Sequence, residues 1–333
     1  MASTYGQPET SGLHALHRTY DWRAAGLRYY SYNFHLRQKF GHRVQRVSID
    51  AKFTCPNVDG TVAIGGCTFC DNRSFSPSRR VPRQDILDQI NDGITRLKRR
   101  YTCDYFMAYF QPATNTHAPV ERLRPLYEQA LSHPQVVAMA IGTRSDCVAD
   151  DVLDLLEEMA SRTYLTVEYG MQTMHDRSLD WMNRGHHHDS FVDAVERSRG
   201  RGFEICAHVV FGLLGESHED MLDTIRELVR LKVDAVKLHN LYAVKNTPLA
   251  EQVQRGEVTL IDRDAYIHVL VEALELLPPS TVVERISGEA PPDYFVAPSW
   301  CLDKPAIRQA LQKELKKRDT WQGKAVALDD EPM

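Results

Sequence analysis

Six short apolar runs alternate with six amphipathic stretches between positions 44 and 277, and this alternation admits few architectures. The apolar runs cover 44–50, 105–110, 136–142, 164–169, 203–211 and 234–240. Helical patterns fill 84–100, 120–132, 150–160, 190–201, 217–231 and 262–277. Repeated strand–helix units joined by right-handed crossovers build one parallel sheet, either open and doubly wound or curled towards a barrel.

The strand faces separate these two forms. Successive side chains on a strand point to opposite sides. In the fourth run, Thr166 and Glu168 share one side while Leu165, Val167 and Tyr169 take the other. Cys206 and His208 likewise oppose Ile205, Ala207, Val209 and Phe211, and Lys237 and His239 oppose Val236 and Leu238. A doubly wound sheet buries both faces under helices and should be apolar on both. One apolar and one polar face predicts a barrel whose interior meets a polar ligand. The competing account is a polar plug satisfied inside a packed barrel.

The 333 residues hold 43% hydrophobic and 26% charged residues, the balance of an ordinary globular protein. The net charge of −5 gives no global basic footprint for nucleic acid. No run of about 18 apolar residues exists, so no membrane-spanning helix is expected. The first twenty residues lack an apolar signal core, which predicts a cytoplasmic protein. Seven cysteines without an export signal point to metal or catalytic use rather than disulfides. An aromatic, basic stretch precedes the first strand, and a basic helix at 304–318 follows Pro-rich punctuation. We therefore expect an N-terminal extension at 1–41, a core at 42–285 and a C-terminal extension at 286–333.

Cys55, Cys67 and Cys70 follow the first strand in a C-x11-C-x2-C pattern. That is the carboxyl end of the strand, where βα barrels carry their active sites. Glycines in the intervening loop let it fold back and bring Cys55 to the other two. Three readings stand at this point. A lone redox dithiol leaves Cys55 without a task. Structural zinc needs a fourth ligand from afar. A 4Fe–4S cluster with three thiolates keeps one iron open to an exogenous ligand.

The stretch SIDAKFTCPNVDGTVAIGGCTFCDNRSFSP resembles the cluster loop of the radical S-adenosylmethionine superfamily, in the long form found in the bacterial YhcC/YtqA-like group. The segments YFQPATNTHAPV, IGTRSDC, VEYGMQT, MNRGH, HVVFGLLGE, VKLHNLYAVKNTPLA and DTWQG follow in that group's order, so the resemblance spans about 20–323. It implies an α/β fold, a partial (β/α)6 radical SAM barrel with N- and C-terminal extensions. It implies a 4Fe–4S cluster on Cys55, Cys67 and Cys70, and S-adenosylmethionine beside it. Phe69 is then expected near the adenine, with Gln111, Thr114 and Asn115 towards the methionine amino group. Arg144 is expected at the carboxylate, Glu168 and Gln172 at the ribose or amino group, and Gly212 and Glu216 along the adenine. Ser145 and Leu214 stand where the group's pattern has Pro, which bears on the pocket's fine geometry and not on the cluster.

The resemblance implies reductive cleavage of S-adenosylmethionine to a 5′-deoxyadenosyl radical acting on an unknown substrate. tRNA and small metabolites are the candidate classes, and a flavodoxin or ferredoxin is the expected electron donor. His208, Lys237 and His239 on the inner face are the candidate catalytic groups. A non-catalytic cluster sensor and a zinc-stabilised binding module are the alternatives. His186, His187 and His188 form a run expected to be solvent-facing without a metal, and the scattered Cys103, Cys147, Cys206 and Cys301 suggest no second cluster.

Overall fold

The computed structural model describes residues 21–80 and 84–326. Arg18, which opens the aromatic basic stretch, lies outside the described residues. Nine strands run in chain order: β1 Val44–Ile49, β2 Tyr105–Phe110, β3 Val136–Thr143, β4 Tyr164–Gln172, β5 Glu204–Phe211, β6 Ala235–Asn240, β7 Ala243–Val244, β8 Val282–Arg285 and β9 Phe295–Ala297. Seven form one parallel sheet in the order β1-β2-β3-β4-β5-β6-β8, and β7 pairs antiparallel with β9. Six of the seven coincide with the sequence expectation. The seventh, β8, is a four-residue strand behind Pro278 and Pro279, too short to show a period.

The outer face is apolar and helix-covered. Val47, Ile49, Phe106, Phe110, Met139, Ile141, Leu165, Val167, Ile205, Val209, Val236 and Leu238 all enter the main core with the flanking helices. Local sequence starts those helices. Asp85 accepts from the Asp88 N–H ahead of Ile86–Lys98, and Ser217 with Asp220 forms a reciprocal capping box ahead of His218–Arg230.

The sheet curls enough to bring its two edges together. Arg46 on β1 lies 2.7 Å from Glu284 on β8 across the interior. The chain before β1 occupies the remaining seam. Ser31 bridges Val283 in parallel, and the Val283 N–H donates to Tyr30 O at 2.8 Å. The helix Tyr32–Phe40 then caps the amino ends of the strands, where His35 Nε2 meets the Tyr164 hydroxyl at 3.1 Å. From the other terminus, buried Gln322 accepts from Tyr30 N–H at 2.8 Å and donates to Pro278 O and Thr281 O. Trp22 and Tyr30 are buried in the same apolar cluster, with Trp321 packed on it. The N-terminal aromatics thus seal the barrel floor and are not displayed for stacking. Among the described residues no helix is long and apolar enough to cross a membrane.

Candidate functional site at the mouth of the half-barrel

The loop after β1 carries the three cysteines at the carboxyl ends of the strands. Cys55 directly precedes the short helix Pro56–Asp59, and its carbonyl accepts from Val58 N–H at 2.7 Å. Gly60 follows at φ 86°, a left-handed conformation that turns the chain back. Cys70 N–H donates to Cys67 O at 3.0 Å. All three thiols are free. Cys67 is buried, Cys55 half-buried and Cys70 exposed, so the loop turns its thiols from the protein interior out to the open mouth.

A second segment clamps this loop, and its role was not read from the sequence. Asn57 Nδ2 donates to Asn183 O at 2.5 Å and to Arg184 O at 2.8 Å. Thr68 N–H donates to Met182 O at 3.0 Å, and Asn183 Nδ2 to Gly66 O at 2.8 Å. Gly185 has φ 75°, and a β-carbon there would lie 2.6 Å from Asn57 Oδ1. Arg184 Nη1 and Asn57 Nδ2 lie 3.7 and 3.5 Å from Cys67 Sγ. Three free thiols, with buried N–H groups aimed at one sulfur and Arg184 Nε buried without a partner, fit a cluster held by Cys55, Cys67 and Cys70.

The expected cofactor residues divide by what already holds them. Phe69 packs against the apolar cluster of Leu179, Met182, Leu213 and Leu241 at the mouth. Gln111 accepts from Ser48 Oγ at 3.1 Å and is part-exposed, as is Gln172 at the end of β4. Gly212 has φ 83°, with Ile261 filling the space a β-carbon would need. Thr114 is buried, with its N–H donating to Thr54 O. Asn115 Nδ2 donates to the carbonyls of Phe110 and Gly142, tying β2 to β3. Arg144 is fully engaged, its Nε and Nη2 on Asp146 and its Nη1 on Arg184 O. Glu216 accepts from Thr173 Oγ1 at 2.7 Å, and burial raises its carboxyl.

Glu168 is mid-strand and fully buried, one level below the mouth. Its carboxylate pairs with Lys237, accepts from Tyr109 at 2.7 Å and His208 Nε2 at 3.0 Å, and lies 3.2 Å from Arg46. Glu284 adds a second buried carboxylate, 3.5 Å from Lys237. Burial alone would raise the Glu168 carboxyl, but Lys237 and then Arg46 outweigh it and hold it well below the usual range. Above the network His208 and His239 stack, centroids 5.5 Å apart. Burial, then Lys237 for His208 and Arg285 for His239, lowers both imidazoles and keeps them neutral. The sequence reading singled out Glu168 as a ribose or amino contact and His208, Lys237 and His239 as inner-face groups, but not Arg46, Tyr109 or Glu284. Arg46 was legible, since it alternates with Val47 and Ile49 in β1.

Of the histidine run, His187 pairs with Asp180 at 2.9 Å and His188 with Glu227 at 2.8 Å. His186 is part-buried beside Arg184, and burial followed by that cation brings it down to about 4.

Residues 64–228 match the family model described as the Radical SAM superfamily, and 233–317 match the Radical_SAM C-terminal domain. The chain is 39% identical over 297 residues to YtqA of Bacillus subtilis (strain 168), covering 89% of this chain and 92% of YtqA. It is 27% identical over 164 residues to the tRNA uridine(34) acetyltransferase of Methanocaldococcus jannaschii, which is 48% of this chain and 30% of that one. Its fold is similar to that of the archaeal Methanocaldococcus infernus Elp3 with an N-terminal deletion (TM-score 0.65, 18% identity, 84% of this chain and 64% of that chain). The chain thus belongs to the radical S-adenosylmethionine superfamily, in its YhcC/YtqA-like group, and is an enzyme of the kind that works with a 4Fe–4S cluster and S-adenosylmethionine.

Proposed function

We propose that this enzyme reductively cleaves S-adenosylmethionine at the mouth and directs the resulting radical at a substrate held over the His208–His239 pair, with tRNA as the substrate class. The observation that carries the reading is vertical order. Three free thiols stand at the carboxyl ends of the strands, directly above a polar interior. When bound, the cluster and S-adenosylmethionine supply a one-electron cleavage that yields a 5′-deoxyadenosyl radical.

This chain's own residues hold, orient and move protons. Cys55, Cys67 and Cys70 hold the cluster. Phe69 extends the apolar wall at the mouth, and Gln111 and Gln172 are part-exposed polar groups at the carboxyl ends of β2 and β4. Arg144 supports the loop through Arg184 O. A carboxylate only accepts, so His208 carries its proton on Nε2 towards Glu168 and leaves Nδ1 as an acceptor. His208 can therefore take a substrate proton at Nδ1, while buried Lys237 compensates the Glu168 charge below it. The electron would come from a flavodoxin or ferredoxin in the cytoplasm.

Support for tRNA comes from the likeness to a tRNA-modifying acetyltransferase and from the helix Lys304–Lys317. That helix buries Ile307, Leu311 and Leu315 and exposes Lys304, Arg308, Lys313, Lys316 and Lys317 as a basic stripe. Phosphate contacts of this kind give salt-dependent binding.

Anaerobically reconstituted protein, reduced with dithionite in the presence of S-adenosylmethionine, should release 5′-deoxyadenosine, faster with bulk tRNA than with a metabolite extract. Stimulation by the extract alone overturns the tRNA assignment. Release of none at all from a fully loaded protein overturns the cleavage.

A further inference from the structure

Arg184 is a buried cation with no carboxylate within 4.0 Å among the described residues. A buried charge is costly unless something of opposite sign meets it. Its three nitrogens divide the space around it. Nη2 donates to Gly170 O at 2.7 Å, Nη1 faces Cys67 Sγ at 3.7 Å, and buried Nε has no hydrogen-bond partner. Asn57 Nδ2 approaches the same sulfur at 3.5 Å. Among the described residues Cys55 and Cys70 have no comparable side-chain donor. The backbone that carries Arg184 is pinned from two sides, since its carbonyl accepts from both Asn57 and Arg144. Gly185 keeps that approach open, since any side chain there would strike Asn57 Oδ1.

We propose that Arg184, with Asn57, is a positioning residue for the cluster. It donates an N–H···S hydrogen bond to the Cys67 thiolate and sets a positive charge against that one corner. The proposal rests on the cluster reading of the preceding subsection. Reduction adds negative charge to a cluster, and hydrogen bonds and net charge around the sulfurs set its potential. A cation fixed at Cys67 therefore favours the reduced state, and it makes the three thiolate corners unequal. An anionic sulfur at Cys67, as a metal-bound cysteine is, offsets the cost of keeping this cation buried.

The test is potentiometric EPR on anaerobically reconstituted full-length protein. Arg184→Gln, loaded with the same iron and sulfide as the parent, should shift its midpoint negative. The expected size is about a tenfold fall in the reduced fraction ratio at fixed solution potential, or about 59 mV for one electron. Arg184→Lys keeps the charge, loses the fork, and should shift by less. A loaded Arg184→Gln with the parental midpoint overturns the proposal. If that variant fails to take up cluster, the parent labelled with guanidino-15N arginine decides. Its reduced signal should carry a weak nitrogen hyperfine coupling that Arg184→Lys loses. No coupling, or one that survives in Arg184→Lys, overturns it as well. A parent chain that binds no cluster sinks the preceding reading and this one together. A loaded chain with an unchanged midpoint sinks this one alone.

Discussion

Replacing Lys237 by Met should be among the most damaging single changes in the interior, and the structure gives the size of the effect. The Lys237 side chain is 5% exposed and meets Glu168 and Glu284, each 0% exposed. Its removal leaves two buried carboxylates with Arg46 as the remaining close cation, 3.2 Å from Glu168 and 2.7 Å from Glu284. Breaking a buried pair by deleting one partner costs about 3–5 kcal/mol. Unfolding entropy near about 2.1 cal/mol/K per residue gives about 0.7 kcal/mol/K for 333 residues, so the melting temperature should fall by about 4–7 °C. The double variant Lys237→Met/Glu168→Gln removes both charges and should recover about 2 kcal/mol relative to the sum of the single changes. The pH dependence has a definite sign. In the parent, Glu168 is held below its unfolded value, so its contribution is present above about pH 4.5 and fades below it. In Lys237→Met the folded carboxyl rises above the unfolded value, so the deficit should shrink as pH falls from 7 towards 5. Calorimetry of the cluster-free protein at pH 7 and pH 5.5 reads all of these. A single variant within 1 °C of the parent, or strictly additive double-variant costs, refutes the interior ion network as described.

Three further outcomes follow from the geometry. Cys55→Ala, Cys67→Ala and Cys70→Ala should each abolish iron retention after desalting, while Cys147→Ala, whose thiol lies 3.6 Å from Asp146, should keep the parental iron content. Gly185→Ala must adopt φ 75° with a β-carbon 2.6 Å from Asn57 Oδ1; it should lose about 1–3 kcal/mol and release iron faster under a chelator. Burial followed by Lys39 lowers His35 to about 4 in the fold, against 6.5 unfolded, so its contribution is present above pH 6.5 and lost on acidification; parent and His35→Gln should diverge by about 3 kcal/mol between pH 6.5 and 4 in chemical denaturation.

The outer architecture was readable because a helix-covered parallel strand repeats one simple pattern. The alternation of Leu165, Val167 and Tyr169 with Thr166 and Glu168 places the polar face inward, and the structure has it there. The cluster loop was readable because cysteine spacing is local. What escaped were contacts between distant segments. Glu284 belongs to a four-residue strand, and only the curl of the sheet brings it to Arg46, 238 positions away in the chain. Arg184 looks like one arginine among many until Asn57 is folded against it. Arg144 is expected at a ligand carboxylate from its place after β3, but the sequence did not show that Asp146, two residues on, holds two of its nitrogens. The sequence showed an aromatic, basic stretch before β1 but not that it seals the floor, where Gln322 and Trp321 arrive from the other end of the chain.

The central claim is a cluster held by Cys55, Cys67 and Cys70 with one iron left for S-adenosylmethionine. EPR of the dithionite-reduced, reconstituted protein with and without S-adenosylmethionine tests it most directly. The account predicts a 4Fe–4S signal that changes shape on addition, with nitrogen coupling from a methionine-labelled cosubstrate. A signal indifferent to S-adenosylmethionine, or a colourless protein loaded with zinc, would contradict it.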